Sequence, residues 1–286
     1  MPRRPRPDEP SPPTTAPRRR RALILTREGA RALDAAATSR LGIPGLLLME
    51  RASLEVARLV VERIERIVQI ERIESPAWTR PSPARPILVV CGPGSNGGDG
   101  HAIARHLAVA ERPVVVARVG AARAGTDAAL MQAIVDRLAA AGSPLEVVGA
   151  DPSTWPRRPS LVIDALLGTG LDRPVAGEFA QAIAAINRLD APIVAVDLPS
   201  GLDADRGEVL GAAVQADLTI TFAAAKPAMR FIPAQKLLGE VVVADLGLPP
   251  SLLREFASDS VLRPTGDSRA TPRPPRGDRR SRGPDL

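Results

Sequence analysis

Three short segments of this 286-residue chain hold most of the side chains able to do chemistry. The first, Gly92-Pro-Gly-Ser-Asn-Gly-Gly-Asp-Gly100, lies between the apolar run Ile87–Cys91 and a helical pattern that starts at His101. Glycine there lets the backbone approach a ligand closely, and a helix start offers unpaired N–H groups to an anion. Asn96 and Asp99 add oxygen-bearing side chains that a plain turn does not need together. The second segment, Leu161-Val-Ile-Asp164, reads as a strand and runs into a Gly/Thr loop from Gly168 to Pro174. The third, Ile193-Val-Ala-Val-Asp197, runs into Leu-Pro-Ser200-Gly201. A lone strand-terminal Asp is commonly a turn former. Three such ends are different, because open parallel sheets bind ligands outside the carboxyl ends of their strands.

Several chemistries compete for these residues. Gly92, Gly94 and Gly97 satisfy G-x-G-x-x-G after a strand and before a helix, which is a dinucleotide-binding pattern. Against it, Asp99 would bring a negative charge into the first helical turn, and no acid closes the next strand, Val114–Ala117. Arg118 follows instead, and an arginine there suits an NADP 2′-phosphate, so an NADP-dependent oxidoreductase stays open. No Ser-His-Asp set and no G-x-x-x-x-G-K-[ST] are present. The only histidines, His101 and His106, have no Cys or acid at zinc spacing, and His106 reads as a packing or capping residue. Carboxylates and small oxygens remain. Asp164, Asn96 and Ser200 could form a hard-cation site, and a carboxylate beside such a site can act as a general acid and base.

The elements that must position these loops follow from periodicity. Helices are predicted over 27–40 and 49–73, then near 99–110, 126–141 and 177–188; strands fall near 87–91, 113–118, 145–148, 161–164, 193–197, 218–222 and 240–244. In the second helix Ile64, Ile67 and Ile73 fall near one stripe beside Glu–Arg pairs, a packing pattern. Residues 75–85, with three prolines, read as a connector. Alternating strands and helices predict a Rossmann-like three-layer α/β/α fold with a mostly parallel central sheet and right-handed crossovers.

Composition bounds the domain. Residues 1–20 and 263–286 are rich in Pro and Arg without apolar periodicity and are expected to be disordered basic tails. That leaves one domain over 21–262. Tail arginines supply the excess behind the net charge of +6, so it is a weak pointer to nucleic acid, which is not expected as a partner. The single cysteine, Cys91, sits in an apolar strand and reads as core. No apolar run reaches the roughly 18 residues a membrane span needs, and Ala22–Leu25 is too short for a signal-peptide core, so a cytoplasmic protein is expected.

The three loops, together with Leu23-Ile-Leu-Thr26, Ala32-Leu-Asp34, Leu41-Gly-Ile-Pro-Gly-Leu46, Leu48-Met-Glu50, Ala225-Lys226-Pro227 and Val241–Pro249, resemble those of NAD(P)H-hydrate epimerases, the YjeF N-terminal domain family, over residues 23–250. The resemblance implies epimerisation of the R and S forms of hydrated NADH or NADPH (NADHX, NADPHX), a nicotinamide nucleotide repair reaction of the isomerase class. It implies a potassium ion held at Asn96, Asp164 and Ser200. It implies substrate contacts from Ser95, Asn96, Gly97, Gly98 and Asp99, from Gly168, Thr169, Gly170, Leu171, Asp172, Arg173 and Pro174, and from Asp197. Asp164 would transfer the proton, and Lys226 would lie near the site. A separate NAD(P)H-hydrate dehydratase is the implied functional partner, and a homodimer is compatible. Ser95 stands where the family usually has Asn, and Arg51 and Ser53 where it often has Asn and Gly; altered substrate contacts are expected there, with Arg51 either narrowing the pocket or pairing with an acid. A non-catalytic scaffold module of the same fold is the alternative, disfavoured by retention of Asn96, Asp164, Asp197 and Ser200.

Overall fold

The computed structural model describes residues 21–74 and 85–261. The two tails and the proline-containing connector, as well as the side chains of Ile67 and Ile73, lie outside the described part. In chain order the elements are β1 (Arg21–Ile24), α1 (Arg27–Leu41), α2 (Gly45–Glu74), β2 (Ile87–Cys91), α3 (Ser95–Val109), β3 (Val114–Arg118), α4 (Asp127–Ala140), β4 (Leu145–Val148), β5 (Leu161–Ala165), α5 (Gly177–Arg188), β6 (Ile193–Val196), β7 (Leu218–Phe222), α6 (Ile232–Leu238), β8 (Glu240–Ala244), α7 (Pro250–Phe256) and β9 (Ser258–Val261).

Seven strands form one sheet in the order β4-β3-β2-β5-β6-β7-β8, and every pairing in it is parallel. Parallel strands need crossovers, and helices supply them on both faces. Alternation along β2 shows how the layers are built. Ile87, Val89 and Cys91 join a core with Val56 and Val60 of α2, Ile103 and Leu107 of α3, and Val135 of α4. Leu88 and Val90 face the other way, into a core with Ile183 and Ile186 of α5. All five residues of β2 are buried, as expected for a strand covered on both sides. Ile64 of α2 packs on the first core, as its stripe predicted.

Local capping explains where helices begin. Thr26 accepts a hydrogen bond from Gly29 N at 3.0 Å and caps α1, and Thr126 accepts one from Ala129 N at 3.2 Å and caps α4. Gly42 closes α1 with φ 67°, a left-handed conformation natural to glycine. By contrast α3 is preceded by Gly94, which has no side chain to cap it, and this leaves its first N–H groups open to a ligand.

The sequence did not show everything. The pair β1–β9 is a separate antiparallel ribbon, Arg21 opposite Val261 and Ile24 opposite Ser258. α6 and α7 have seven residues each, too short for a clear helical period.

Between β2 and β5 the strand order reverses: the chain leaves β2 toward β3 on one side and leaves β5 toward β6 on the other. The loops after these neighbouring strands therefore part and leave a crevice. Glycine makes that crevice possible. A Cβ on Gly97 would lie 1.8 Å from the Gly92 carbonyl oxygen, whereas a Cβ on Gly170 would meet nothing within 4 Å. Gly97→Ala should therefore destabilise the fold by about 3 kcal/mol or more, since backbone cannot yield as a side chain can. Gly170→Ala should fall within about 0.5 kcal/mol of wild type. Urea unfolding of the two variants checks the contrast; equal stabilities would show that the loop is not packed this tightly.

Candidate active site

A cavity of about 920 Å³ opens at the reversal point. Ser95, Asn96 and Asp99 line it from the start of α3, Gly168–Pro174 from the loop after β5, Asp197 from the end of β6, and Lys226 from the segment after β7. Its size suits a small molecule or part of a dinucleotide. Met49, Phe179 and Phe222 supply apolar walls. Two sequence-predicted residues, Gly97 and Gly98, are not in the lining. They are buried beneath it, Gly97 against Gly92 and Gly98 against Met49, whose Cε would lie 2.7 Å from an added Cβ. Asp172, Arg173 and Pro174 are exposed at the rim.

Asp164 and Ser200 lie behind the wall, both fully buried. Ser200 donates to Asp164 twice, from its hydroxyl to Oδ1 at 2.6 Å and from its backbone N–H to Oδ2 at 2.8 Å. Leu166 N adds a third hydrogen bond at 3.3 Å. The Ser200 hydroxyl also accepts from Leu167 N at 2.8 Å, so this pair joins the loop after β5 to the loop after β6. Among the described residues no cation pairs with Asp164. Burial therefore raises its carboxyl to about 6, against the lowering effect of Ser200 and Leu166. Asn96 completes the set. Its amide oxygen and nitrogen are both buried and have no protein partner. An orphaned amide oxygen and an unpaired carboxylate are what an oxygen-seeking cation requires.

A second charged group sits across the cavity. Lys226 is 2% exposed and pairs with Asp197 Oδ1 at 2.9 Å. Asp99 is buried beside them. Burial holds its carboxyl well above the usual range, with Asp197 and Asp34 adding to the rise and Ser53 opposing it. A carboxyl raised in this way weakens the objection that its charge would repel an anion at this helix start. Asp34 keeps solvent access on its outer side, yet its partial enclosure at the cavity wall, and then Asp197, raise its carboxyl while Lys226 lowers it.

Helix α1 is the wall that sequence reasoning left without a role. Ala30, Arg31, Leu33 and Asp34 line the cavity. Arg27 donates to the Leu171 carbonyl at 2.6 Å and pairs with Asp203 at 3.1 Å, tying α1 to two of the loops. The spacing of Arg27, Arg31 and Asp34 on one helical face was the available signal, but no glycine loop adjoins it.

Other expectations resolve by geometry. Arg51 pairs with Glu55 at 3.1 Å and does not line the cavity, so it does not narrow it. Ser53 Oγ donates to the Asp99 carbonyl at 3.2 Å. Ser95 stands exposed at the cavity. His106 contacts Glu50 and Arg105 at 3.0 Å each. Cys91 is buried, and its thiol is raised by desolvation, as a core residue's should be. Arg118 is not free for a 2′-phosphate: it donates to His101 Nε2 at 3.2 Å and to the Gln132 carbonyl at 3.3 Å, and pairs with Asp136 at 2.8 Å. This removes the geometric support for the oxidoreductase reading.

Residues 45–228 match the family described as YjeF-related protein N-terminus. The chain is 39% identical over 224 residues to the NAD(P)H-hydrate epimerase of Limosilactobacillus fermentum, covering 77% of this chain and 95% of that protein. The chain belongs to the YjeF-related N-terminal family. It is also 35% identical to the NAD(P)H-hydrate epimerase of Rhodopirellula baltica, covering 82% of this chain and 88% of that one. A Bifunctional NAD(P)H-hydrate repair enzyme of Pyrobaculum aerophilum is 40% identical over 214 residues, and the match spans 39% of its length. The crystal structure of yeast YNL200c superposes with TM-score 0.65 at 21% identity, covering 82% of this chain and 93% of that one. It supports the three-layer α/β/α fold. Among the described residues no helix is long and apolar enough to cross a membrane.

His101 marks how this family member holds its glycine loop. Its Nδ1–H donates to the Gly97 carbonyl at 2.6 Å while Nε2 accepts from Arg118. Desolvation lowers its pKa from 6.5 to about 4, with Arg118 contributing in the same direction and Gly97 and Asp136 opposing. On acidification the unfolded chain takes up this proton first, so stability is intact above about pH 6.5 and is lost as pH falls from 6.5 toward 4. The full effect is about 3 kcal/mol. In His101→Gln that part of the acid slope should vanish. Unfolding free energies measured from pH 7.5 to 4 check it; parallel wild-type and variant curves would refute a neutral buried imidazole.

Proposed function

We propose that this protein epimerises the R and S forms of NADHX and NADPHX, as an isomerase acting in nicotinamide nucleotide repair. The observation that carries the reading is the convergence of three strand-end loops on one cavity, in a chain that matches 95% of a protein named NAD(P)H-hydrate epimerase. The uncapped start of α3 offers N–H groups to an anionic part of the ligand, and the Gly168–Pro174 loop forms the opposite lip. Retained Asn96, Asp164, Asp197 and Ser200 disfavour a non-catalytic module.

Inverting the hydroxylated ring carbon needs transient opening of the ring or loss of the hydroxyl. Either route needs a group that gives and takes a proton. Asp164 is the proposed group, since burial raises its carboxyl to about 6, close enough to neutrality for it to act as base and acid in turn. Its position directly behind Leu166, Leu167 and Gly168, with no exposed surface, makes cavity-facing Asp99 the alternative. Potassium is the proposed cofactor, with Asn96 Oδ1, Asp164 and Ser200 as its holders. When bound it supplies a fixed positive charge beside the buried carboxylate.

The wider setting belongs to the same proposal. The protein works in the cytoplasm alongside an NAD(P)H-hydrate dehydratase activity; a homodimer is compatible with this reading, and sedimentation would register it as twice the 30.1 kDa chain mass.

The assay supplies mixed epimers to a dehydratase that consumes one of them. Wild type should drive complete consumption faster than spontaneous epimerisation; no acceleration would refute the activity. Asp164→Asn should fold and lose about 10²–10⁴-fold in rate, the usual worth of general acid–base catalysis. Near-wild-type turnover in that variant would move the proton to a cavity-facing carboxyl.

The cation has its own test. Exchange of potassium for a large organic cation should lower both melting temperature and rate, and potassium should restore both. Loss of activity with a divalent-metal chelator, together with indifference to potassium, would refute the assignment, because all the proposed ligands are hard oxygens.

A further inference from the structure

Three non-glycine residues in the described part have positive φ, and two of them face one ammonium group. Asp197 (φ 66°) follows β6, and Ala223 (φ 62°) follows β7. Such conformations cost about 1 kcal/mol or more each and persist only where neighbouring structure holds them. The turn at Ala223 brings the carbonyls of Phe222 and Ala224 to within 3.1 and 3.2 Å of Lys226 Nζ. Thr221 Oγ1 accepts from the same nitrogen at 2.8 Å and donates to Asp197 Oδ1 at 3.0 Å. Asp197 Oδ1 itself lies 2.9 Å from the ammonium.

The inventory of donors decides what this lysine can do. An ammonium has three N–H groups. Here they face four protein acceptors, and the residue is 2% exposed. Lys226 has no N–H left for a ligand. Asp197 is different. Lys226 and Thr221 both bind Oδ1, and no described residue donates to Oδ2, although Asp197 lines the cavity.

We propose that Lys226 is a positioning residue: it clamps Oδ1 of Asp197 and so aims Oδ2 into the cavity as the acceptor for a hydroxyl or amide donor of the bound dinucleotide. The proposal rests on the epimerase reading above for the identity of that ligand. Arginine could not replace the lysine, because a planar fork does not match four acceptors gathered around a point.

The test is a double-mutant comparison of KM and kcat for hydrated NADH, using the dehydratase-coupled assay. Asp197→Asn and Lys226→Met should each raise KM about tenfold or more, with kcat within about threefold of wild type, as for loss of a hydrogen bond to a charged group. The double variant Lys226→Met/Asp197→Asn should match Asp197→Asn alone, since the lysine acts only through that carboxylate. Multiplied effects in the double variant, or a fall in kcat with KM unchanged, would overturn the proposal. Lys226→Met leaves a buried carboxylate unpaired and risks unfolding. The double variant removes that charge, so its comparison with Asp197→Asn stands even when the single variant fails to fold. Absence of turnover by wild type counts against the epimerase reading only; the same comparison is then made on Kd for hydrated NADH by calorimetry, and no binding by wild type overturns the proposal as well.

Discussion

The site depends on one buried carboxylate. Asp164 is the last residue but one of β5, has no exposed surface, and receives both the hydroxyl and the backbone N–H of Ser200. Those bonds tie the end of β5 to the loop after β6, and Leu167 N–H on Ser200 Oγ adds the loop after β5. They fix the two lips of the cavity relative to each other, and they do so at a cost, because a buried charge without a counter-ion is expensive. The protein meets part of that cost by moving the carboxyl toward the neutral form. A cation at the orphaned Asn96 oxygen would meet the rest. One interaction thus links loop geometry, proton affinity and the fit of an ion.

Most of this frame was legible in the sequence. The central strands β2, β3 and β6 are nearly continuous apolar runs, whereas Thr219 and Thr221 interrupt β7 and Glu146 interrupts β4. Asp164, Asp197 and Asn96 stood out because strands and glycine loops flank them, and the sheet reverses where two of those loops emerge. What was not legible depends on distance. β1 pairs with β9 across almost the whole domain, and four-residue runs carry no period that could announce the match. The lining role of α1 arises because the helix is laid over strand ends far from it in sequence, with Arg27 reaching Leu171 and Asp203. A helical face of Arg, Arg and Asp reads as an ordinary solvated face until its neighbour is known.

The glycines show the difference between a motif and its reason. Gly92, Gly94 and Gly97 fit a dinucleotide pattern, but their demands are unequal. Gly92 and Gly97 are required by backbone: each would place a Cβ 1.8 Å from a carbonyl oxygen, Leu166 and Gly92 respectively. Gly94 has open space around it, and its service is to leave α3 uncapped. Gly100 lets α3 settle on the sheet, where a Cβ would lie 2.6 Å from that of Ala165. The pattern therefore builds a close helix–sheet contact and an open helix start. Neither requires a pyrophosphate, which is why the same spacing serves families with different ligands.

The two charged centres divide the work of the cavity by their surroundings. On one side Asp164 lacks a protein cation, and its carboxyl drifts toward neutrality. On the other, Asp197 has Lys226 against it, and two residues of unfavourable φ are held in place around that pair. Asp99 also lines the cavity, and its carboxyl is raised first by burial and then by Asp197 and Asp34. Burial does most of this, and the neighbouring carboxylates of Asp197 and Asp34 add to it, because adjacent carboxylates in a low-dielectric pocket disfavour one another's charged form. The cavity wall thus carries one carboxylate tied to Lys226 and one carboxyl raised by its burial.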